Sequence, residues 1–184
     1  MNEIVVFPVV GPTTICSAYG DPRAHGPHHG VDICAPMKTP VLAAASGSVR
    51  YGQDPMGGNV ALVDVSGSDA VIYNAHLYAF VGENRYVAAG EVIGLVGMTG
   101  NAATTLPHLH IELWPTGDYK QPANPTAQLA AATHYATPPN VSAPVPKLRL
   151  ALTAIAVVGA SAATAYAIDP SIAQALRRRL KLDR

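Results

Sequence analysis

The chain has 184 residues, of which 49% are hydrophobic and 13% are charged. This composition excludes a mostly disordered protein, because such chains are poor in apolar residues. Sixteen glycines and sixteen prolines argue against a simple helical bundle, and two cysteines are too few for a disulfide scaffold. The length allows one domain with appendages.

The net charge of zero hides an uneven distribution along the chain. Residues 1–146 carry five Lys/Arg and ten Asp/Glu, giving −5, whereas residues 147–184 carry seven and two, giving +5. The acidic body is therefore not expected to bind nucleic acid. No cleavable secretory signal is expected, because Glu3, Pro8 and Pro12 interrupt the first apolar run.

Short apolar stretches separated by glycine-containing turns predict β-strands between residues 4 and 114. No segment there keeps a helical period of 3.6 residues, so we expect a mainly β fold, a compact antiparallel sheet in a domain over 1–128. The clearest predicted strands are 4–7, 41–45, 60–65, 70–75, 92–96 and 108–114.

The carboxy-terminal part changes in composition. Residues 129–147 are rich in Ala and Pro and are predicted to be a linker. The uncharged stretch 150–168 would be about 28 Å long as a helix, close to the ~30 Å hydrocarbon core of a bilayer. We therefore expect a transmembrane helix over 148–168 in contact with lipid, the alternative being an Ala-rich helix packed on the domain.

The flanking charges predict the orientation of this helix. More basic residues follow it than precede it, so the basic tail 169–184 should face the cytoplasm and the domain should face outward. Helix-mediated self-association is also possible through small residues on the helix. These are Ala156, Gly159, Ala160 and Ala163.

Two short segments place candidate metal ligands on strand faces. Side chains two apart on a strand share a face, so His28 and Asp32 point the same way in the first segment. The second segment alternates cleanly, with His108, His110 and Glu112 on one face and aliphatic residues on the other. Glu112 can be read equally as a group that orients a ligand or as an ordinary strand carboxylate.

A mixture of imidazole and carboxylate donors suits zinc. Catalytic zinc commonly takes three protein ligands and keeps a fourth position for water. We predict that His28, Asp32 and His110 hold Zn2+ as the cofactor. His76 and His108 then remain for general acid–base chemistry near neutral pH.

Four ordered blocks of the chain carry a family resemblance. They are HHGVDICAPMKTPVLAAASGSVRYG at 28–52, GGNVALVDV at 57–65, AHL at 75–77 and VAAGEVIGLVGMTGNAATTLPHLHIEL at 87–113. Together they resemble the lysostaphin-like and LytM-like zinc endopeptidases that cut peptidoglycan peptides. The resemblance covers roughly residues 4–126 and implies a compact antiparallel sheet with a groove along it.

The resemblance also implies a role for each of five residues. His28, Asp32 and His110 match the zinc ligands of the family. His108 matches its catalytic histidine, and His76 matches a second active-site histidine that orients water or stabilises the tetrahedral oxyanion.

The surroundings of His76 depart from the family pattern. Asn74 stands two positions before it, where the family usually has an aromatic residue, and Tyr73 lies one residue further back. A slip of one residue on a strand turns side chains to the opposite face. Elsewhere, Cys16 and Cys34 are expected to be two buried free thiols rather than a disulfide, because the sequence supplies no pairing geometry.

The function implied is that of a membrane-anchored zinc endopeptidase hydrolysing peptide cross-links of bacterial peptidoglycan. The catalytic domain would reach the wall through a reverse-oriented anchor, facing the cell envelope, or as a phage product carried in a virion. The alternative is a catalytically inactive module that binds the wall or activates a hydrolase. The three filled ligand positions favour the enzyme, and a purely structural envelope protein would show neither metal nor activity.

Overall fold

The computed structural model describes residues 2–24 and 26–141, and its regular elements are mostly short strands. The strands are β1 (Thr14–Ser17), β2 (Pro22–Arg23), β3 (Gly26–Pro27), β4 (Val31–Cys34), β5 (Pro40–Leu42), β6 (Gly47–Asp54), β7 (Gly58–Val65), β8 (Val71–Ala75), β9 (Ala79–Phe80), β10 (Arg85–Val87), β11 (Val92–Leu95) and β12 (His108–Trp114). A 3-10 turn, Gly100–Ala102, and one helix, α1 (Thr126–Ala131), complete the described elements.

The main sheet has seven strands in the order β1-β4-β12-β8-β7-β6-β10. All of its neighbouring strands pair antiparallel, which confirms the predicted fold class. A three-stranded sheet has the order β5-β11-β9, and β2 and β3 form a separate two-stranded ribbon. Strands β4, β12 and β8 are adjacent in the main sheet although they are far apart in the sequence.

The aliphatic half of each alternating strand forms the core. Ile33 on β4 is 0% exposed, as are Leu109 and Ile111 on β12. Burying such a side chain contributes roughly 1.5–3 kcal/mol, so the alternation fixes which face of each strand points inward. The polar residues between these positions consequently share the opposite face.

The domain continues beyond the predicted boundary at residue 128. Leu129 of α1 is buried, and the Phe7 amide donates a hydrogen bond to the Thr133 carbonyl at 2.9 Å. The His134 ring stacks on the Phe7 ring, with the two centroids 4.1 Å apart. The first part of the predicted linker therefore packs on the β domain, through backbone pairing that its composition does not reveal.

The amino-terminal prediction also needs correction. Residues 4–7 form no strand of a sheet: they contain one isolated parallel bridge, from Val6 to Thr133, and the Val5 and Val6 amides donate to the Ala44 carbonyl. Among residues 2–24 and 26–141, no helix is long and apolar enough to cross a membrane. The predicted transmembrane helix and basic tail lie outside the described residues.

The expectation of two free thiols is wrong. Cys16 and Cys34 form a disulfide between β1 and β4, with Cα atoms 5.8 Å apart. Cys16 lies where the register of β1 against β4 shifts, between Ile15 and Ser17. Strand pairing and register bring the two cysteines together, and neither could be read from the spacing of the cysteines.

Replacing both cysteines by serine should lower the free energy of unfolding by about 3 kcal/mol. The bond closes a loop over a sequence separation of 18 residues and so restricts the unfolded chain. Chemical denaturation of the wild type and the Cys16→Ser/Cys34→Ser variant measures the difference. A reductant should weaken the wild type alone; equal sensitivity of both proteins would contradict the assignment.

Candidate active site

The main sheet brings all five predicted site residues to one face. His110 on β12 pairs directly with Asp32 on β4 and with Ala75 on β8. His28 lies three residues before the start of β4, and His76 immediately follows β8. The last of the five, His108, stands two positions before His110 on the same strand. Each is therefore placed by a strand whose other face is anchored in the core.

Three donor atoms form a nearly equilateral triangle at the centre of this face. His28 Nε2 lies 2.9 Å from His110 Nδ1 and 3.1 Å from Asp32 Oδ1. His110 Nδ1 lies 2.8 Å from the same Oδ1. In a tetrahedral site with bonds of about 2.0–2.1 Å, neighbouring ligand atoms stand about 3.3 Å apart. The triangle is close to this size.

The outer hydrogen bonds decide which ring nitrogens carry protons. His28 Nδ1 lies 2.7 Å from the Ala18 carbonyl, which can only accept, so Nδ1 donates and Nε2 is bare in the neutral ring. His110 Nε2 lies 2.8 Å from Glu112 Oε1, which leaves Nδ1 bare in the same way. Two nitrogen lone pairs and a carboxylate oxygen thus converge, an arrangement that needs a cation to be stable. The residues present fit a metal ion.

The charges of the site support this conclusion. Burial opposes ionisation of Asp32, yet the adjacent imidazoles of His110 and His28 and the Arg23 guanidinium hold the pKa of its carboxyl well below the usual range. Burial also disfavours a charged His110, but its hydrogen bonds with Asp32 and Glu112 raise the pKa to about 9. The cluster thus favours positive charge at the point where the three donor atoms meet.

Glu112 orients the His110 ring from the side remote from the triangle. Its Oε1 accepts from His110 Nε2 at 2.8 Å, and its Oε2 accepts from Trp114 Nε1 at 2.6 Å. Burial tends to raise the pKa of Glu112, but these two hydrogen bonds lower it. The ionised carboxylate fixes the tautomer of His110 and raises the basicity of Nδ1. Of the two interpretations left open by the sequence, the ligand-orienting role fits this geometry.

Replacing Glu112 by glutamine should lower metal affinity about 10- to 100-fold. The amide loses the negative charge, and it cannot accept from both His110 and Trp114. Competition with a chelator of known affinity, carried out on the full chain, measures the change. Glu83→Gln, at an exposed position, is the matched control and should bind metal like the wild type. Equal affinity of Glu112→Gln and the control would contradict this role.

His108 presents a bare nitrogen beside the triangle. Its Nδ1 donates to the Leu106 carbonyl at 2.7 Å, which leaves Nε2 without a proton in the neutral ring. This Nε2 lies 3.9 Å from Asp32 Oδ1. An unprotonated imidazole held beside a metal site can accept a proton from a nearby water.

His76 sits in a backbone conformation that side-chain-bearing residues rarely adopt. Its φ is +62°, in the left-handed region, and its amide donates to the Gly57 carbonyl at 2.7 Å. The ring is directed by a hydrogen bond from Nδ1 to the Thr99 carbonyl at 2.9 Å, and its centroid lies 4.9 Å from that of His108. Burial lowers the pKa of His76 to about 4, so the ring is neutral at pH 7. Such strain at a polar residue is typical of functional sites.

The faces of β8 show which of Tyr73 and Asn74 lies beside the site. Tyr73 lies on the site face. Its ring stacks on the Trp114 ring, with centroids 5.1 Å apart, and stands edge-on to the His110 ring, with centroids 6.2 Å apart. Asn74 is 0% exposed on the opposite face. An aromatic residue thus flanks the site from β8, three positions before His76 rather than two.

Gly30 allows β12 to approach the segment that carries His28 and Asp32. A Cβ at this position would overlap the Ile111 carbonyl and lie 2.9 Å from His110 Cε1. Gly30→Ala should therefore lower the free energy of unfolding by about 1–3 kcal/mol and weaken metal binding. Gly52→Ala is the control, because its Cβ would meet only Val60 Cγ2, at 3.9 Å. Thermal melting and metal titration of both variants test this; equal behaviour would count against it.

The antiparallel sheet of this chain is shared with solved peptidase structures. The family model of Peptidase family M23 matches residues 26–125, which is more than half of the chain. The chain belongs to this family.

Curated relatives and solved structures agree with this membership. Over 101 residues the chain is 41% identical to the DD-carboxypeptidase/endopeptidase Mpg of Neisseria meningitidis, covering 54% of this chain and 22% of that protein. Over 96 residues it is 33% identical to the peptidoglycan DD-endopeptidase ShyC of Vibrio cholerae, and the match covers 52% of this chain and 22% of ShyC. It thus spans about a fifth of the length of these relatives.

Among solved structures, the catalytic domain of the antimicrobial peptidase lysostaphin from Staphylococcus simulans matches with a TM-score of 0.57 and 30% identity. That match covers 65% of this chain and 92% of the lysostaphin chain. A zinc-containing peptidase from Vibrio cholerae matches with a TM-score of 0.58 and 25% identity, over 72% of this chain and 40% of that one.

Proposed function

We propose that this chain is a zinc-dependent endopeptidase that hydrolyses peptide cross-links of bacterial peptidoglycan. The observation that carries the proposal is the close triangle of donor atoms from His28, Asp32 and His110, with the two further imidazoles of His108 and His76 beside it. The relatives Mpg and ShyC support the substrate class. Both names describe endopeptidases, and the name of ShyC specifies peptidoglycan.

Zinc is the metal that best suits this donor set. Two imidazoles and one carboxylate are borderline ligands, and three protein ligands leave a coordination position for water. A bound zinc ion would supply Lewis-acid chemistry, which activates water and polarises the scissile carbonyl. The solved zinc-containing peptidase with the same fold supports this choice.

The two remaining histidines divide the proton chemistry. His108 Nε2 accepts a proton from the attacking water and returns it to the leaving amine. His76 donates from Nδ1 to the Thr99 carbonyl, so its neutral ring can only accept through Nε2. Of the two roles implied by the family, orientation of the water therefore fits His76 better than donation to an oxyanion.

Digestion of purified peptidoglycan tests the proposal. The full chain should release new amino groups, and mass spectrometry of the fragments should show cleaved cross-links. A chelator should abolish release and added zinc should restore it. Synthetic peptides with Gly-Gly bridges or D-amino-acid stem cross-links distinguish the two candidate bonds. Binding to the wall without hydrolysis would contradict the proposal and favour the inactive module.

We also propose that residues 150–168 anchor the chain in a membrane, with the catalytic domain facing the cell envelope or carried in a phage virion. The uncharged length of this stretch and its basic flanks support the anchor. Fractionation of cells and of purified virions tests it. Recovery of the chain only in soluble cell fractions would contradict it.

A further inference from the structure

Arg23 contacts the metal site from outside the five predicted residues. Its Nη2 lies 2.6 Å from Asp32 Oδ2 and 2.8 Å from Ser17 Oγ. We propose that Arg23 is a positioning residue, which holds Asp32 Oδ2 so that only Oδ1 is presented to the metal. This inference rests on the proposed metal site and adds a residue that determines how that site is built.

The fold delivers the guanidinium to this place. Arg23 lies on β2, which pairs with β3 in a short ribbon that ends at the residue before His28. Ser17, which accepts from Arg23, donates in turn to Asp21 Oδ2 at 2.8 Å. The Ala18 amide donates to the same oxygen at 2.8 Å, so Asp21 is itself fixed. The side chain is thus held at its far end as well as by the backbone.

The two oxygens of Asp32 have separate partners. Oδ1 faces Nε2 of His28 and Nδ1 of His110, at 3.1 and 2.8 Å. Oδ2 faces only Arg23 among the hydrogen-bonding groups that the structure describes. A carboxylate can bind a metal through one oxygen or through both. The short, charge-assisted bond to Arg23 opposes rotation that would bring Oδ2 to the metal.

The consequence concerns the open corner of the site. If both oxygens bound the metal, the second would compete for the position that water and the substrate carbonyl require. By holding Oδ2, Arg23 keeps the number of ligand atoms supplied by the protein at three. The predicted effect of losing Arg23 is therefore a change in coordination and turnover, with little change in substrate affinity.

An ordinary surface ion pair would not have this effect. The Arg50–Asp64 pair is an example, with side chains 52% and 33% exposed, and such pairs contribute little. In the Arg23–Asp32 pair the arginine is similarly exposed at 46%, but the carboxylate is only 8% exposed. Arg50 therefore offers a matched control with the same bond type and no contact with the site.

The test uses the full chain loaded with cobalt(II), whose visible absorption is stronger in four-coordinate than in five-coordinate sites. Wild type and Arg50→Met should give the same intensity per bound cobalt. Arg23→Met should lose about twofold or more of that intensity, and its kcat on the zinc-loaded protein should fall about 10- to 100-fold with little change in KM. Arg23→Lys should lie between them, because an ammonium can hold Oδ2 without also reaching Ser17.

The outcomes separate the inference from the proposed function. If the wild type takes up no cobalt, the metal site itself is wrong. If it takes up cobalt and Arg23→Met keeps the wild-type spectrum and kcat, the role of Arg23 is wrong. A loss confined to KM with an unchanged spectrum would also overturn it and would assign Arg23 to the substrate. Should Arg23→Met fail to fold, the spectrum of Arg23→Lys decides between these results.

Discussion

Replacing His108 by alanine should reduce kcat about 10²- to 10⁴-fold while the protein keeps its metal. This range is what a single general acid–base residue contributes. The bare Nε2 of His108 is placed to take a proton beside the metal site, but 3.9 Å from Asp32 Oδ1 it stands outside the close triangle. Initial rates on peptidoglycan and the zinc content of the same preparation measure both halves of the prediction.

The control is His134→Ala, which removes an exposed imidazole that stacks on Phe7 away from the site. It should retain wild-type turnover and zinc. Wild-type turnover in His108→Ala would show that another group moves the proton. Loss of zinc together with turnover would instead place His108 among the ligands.

Replacing Asp32 by alanine should weaken zinc binding about 100-fold or more. This exceeds the 10- to 100-fold effect expected for a residue that only hydrogen-bonds to a ligand, such as Glu112. Asp32 supplies the only carboxylate oxygen of the triangle, and its negative charge offsets part of the charge of the ion. Its removal also leaves Arg23 without its buried partner. Zinc that remains after dialysis against a chelator measures the loss.

Asp64→Ala is the matched control for this experiment. It removes an aspartate that is also paired with an arginine, Arg50, but on the exposed surface of β6 and β7. Its zinc content should equal that of the wild type. If Asp32→Ala kept as much zinc as Asp64→Ala, Asp32 would not be a ligand.

The alternation of polar and apolar residues was sufficient to predict the strands that build the site. His110 and Glu112 alternate with Leu109 and Ile111, and burial of the aliphatic pair turns the polar pair to the other face. The same rule paired His28 with Asp32. Because these segments are about 80 residues apart, their adjacency could be expected only from the family resemblance.

Contacts that depend on register had no signal in the sequence. The disulfide of Cys16 with Cys34 depends on a shift between β1 and β4. The contact of Arg23 with Asp32 depends on the two-residue ribbon before His28, which is too short to produce an alternating pattern. The pairing of Thr133 with the amino-terminal segment likewise uses backbone groups, which every residue carries.

The neighbours of each histidine ring carry the chemical detail that the sequence lacked. The Ala18 and Thr99 carbonyls set which nitrogens of His28 and His76 are bare, and backbone carbonyls leave no trace in residue identity. Tyr73 was visible in the sequence, but the face on which it lies followed only from the register of β8. The pattern of prolines and glycines in the sequence does not distinguish the two faces on which Tyr73 could lie.

X-ray absorption at the zinc edge of the full-length, zinc-loaded chain tests the central claim most directly. Ligation by His28, Asp32 and His110 predicts nitrogen and oxygen neighbours at about 2.0–2.2 Å, with the multiple-scattering pattern of two imidazoles and no sulfur. A protein that retains no zinc, or a first shell that lacks imidazole or contains sulfur, would contradict it.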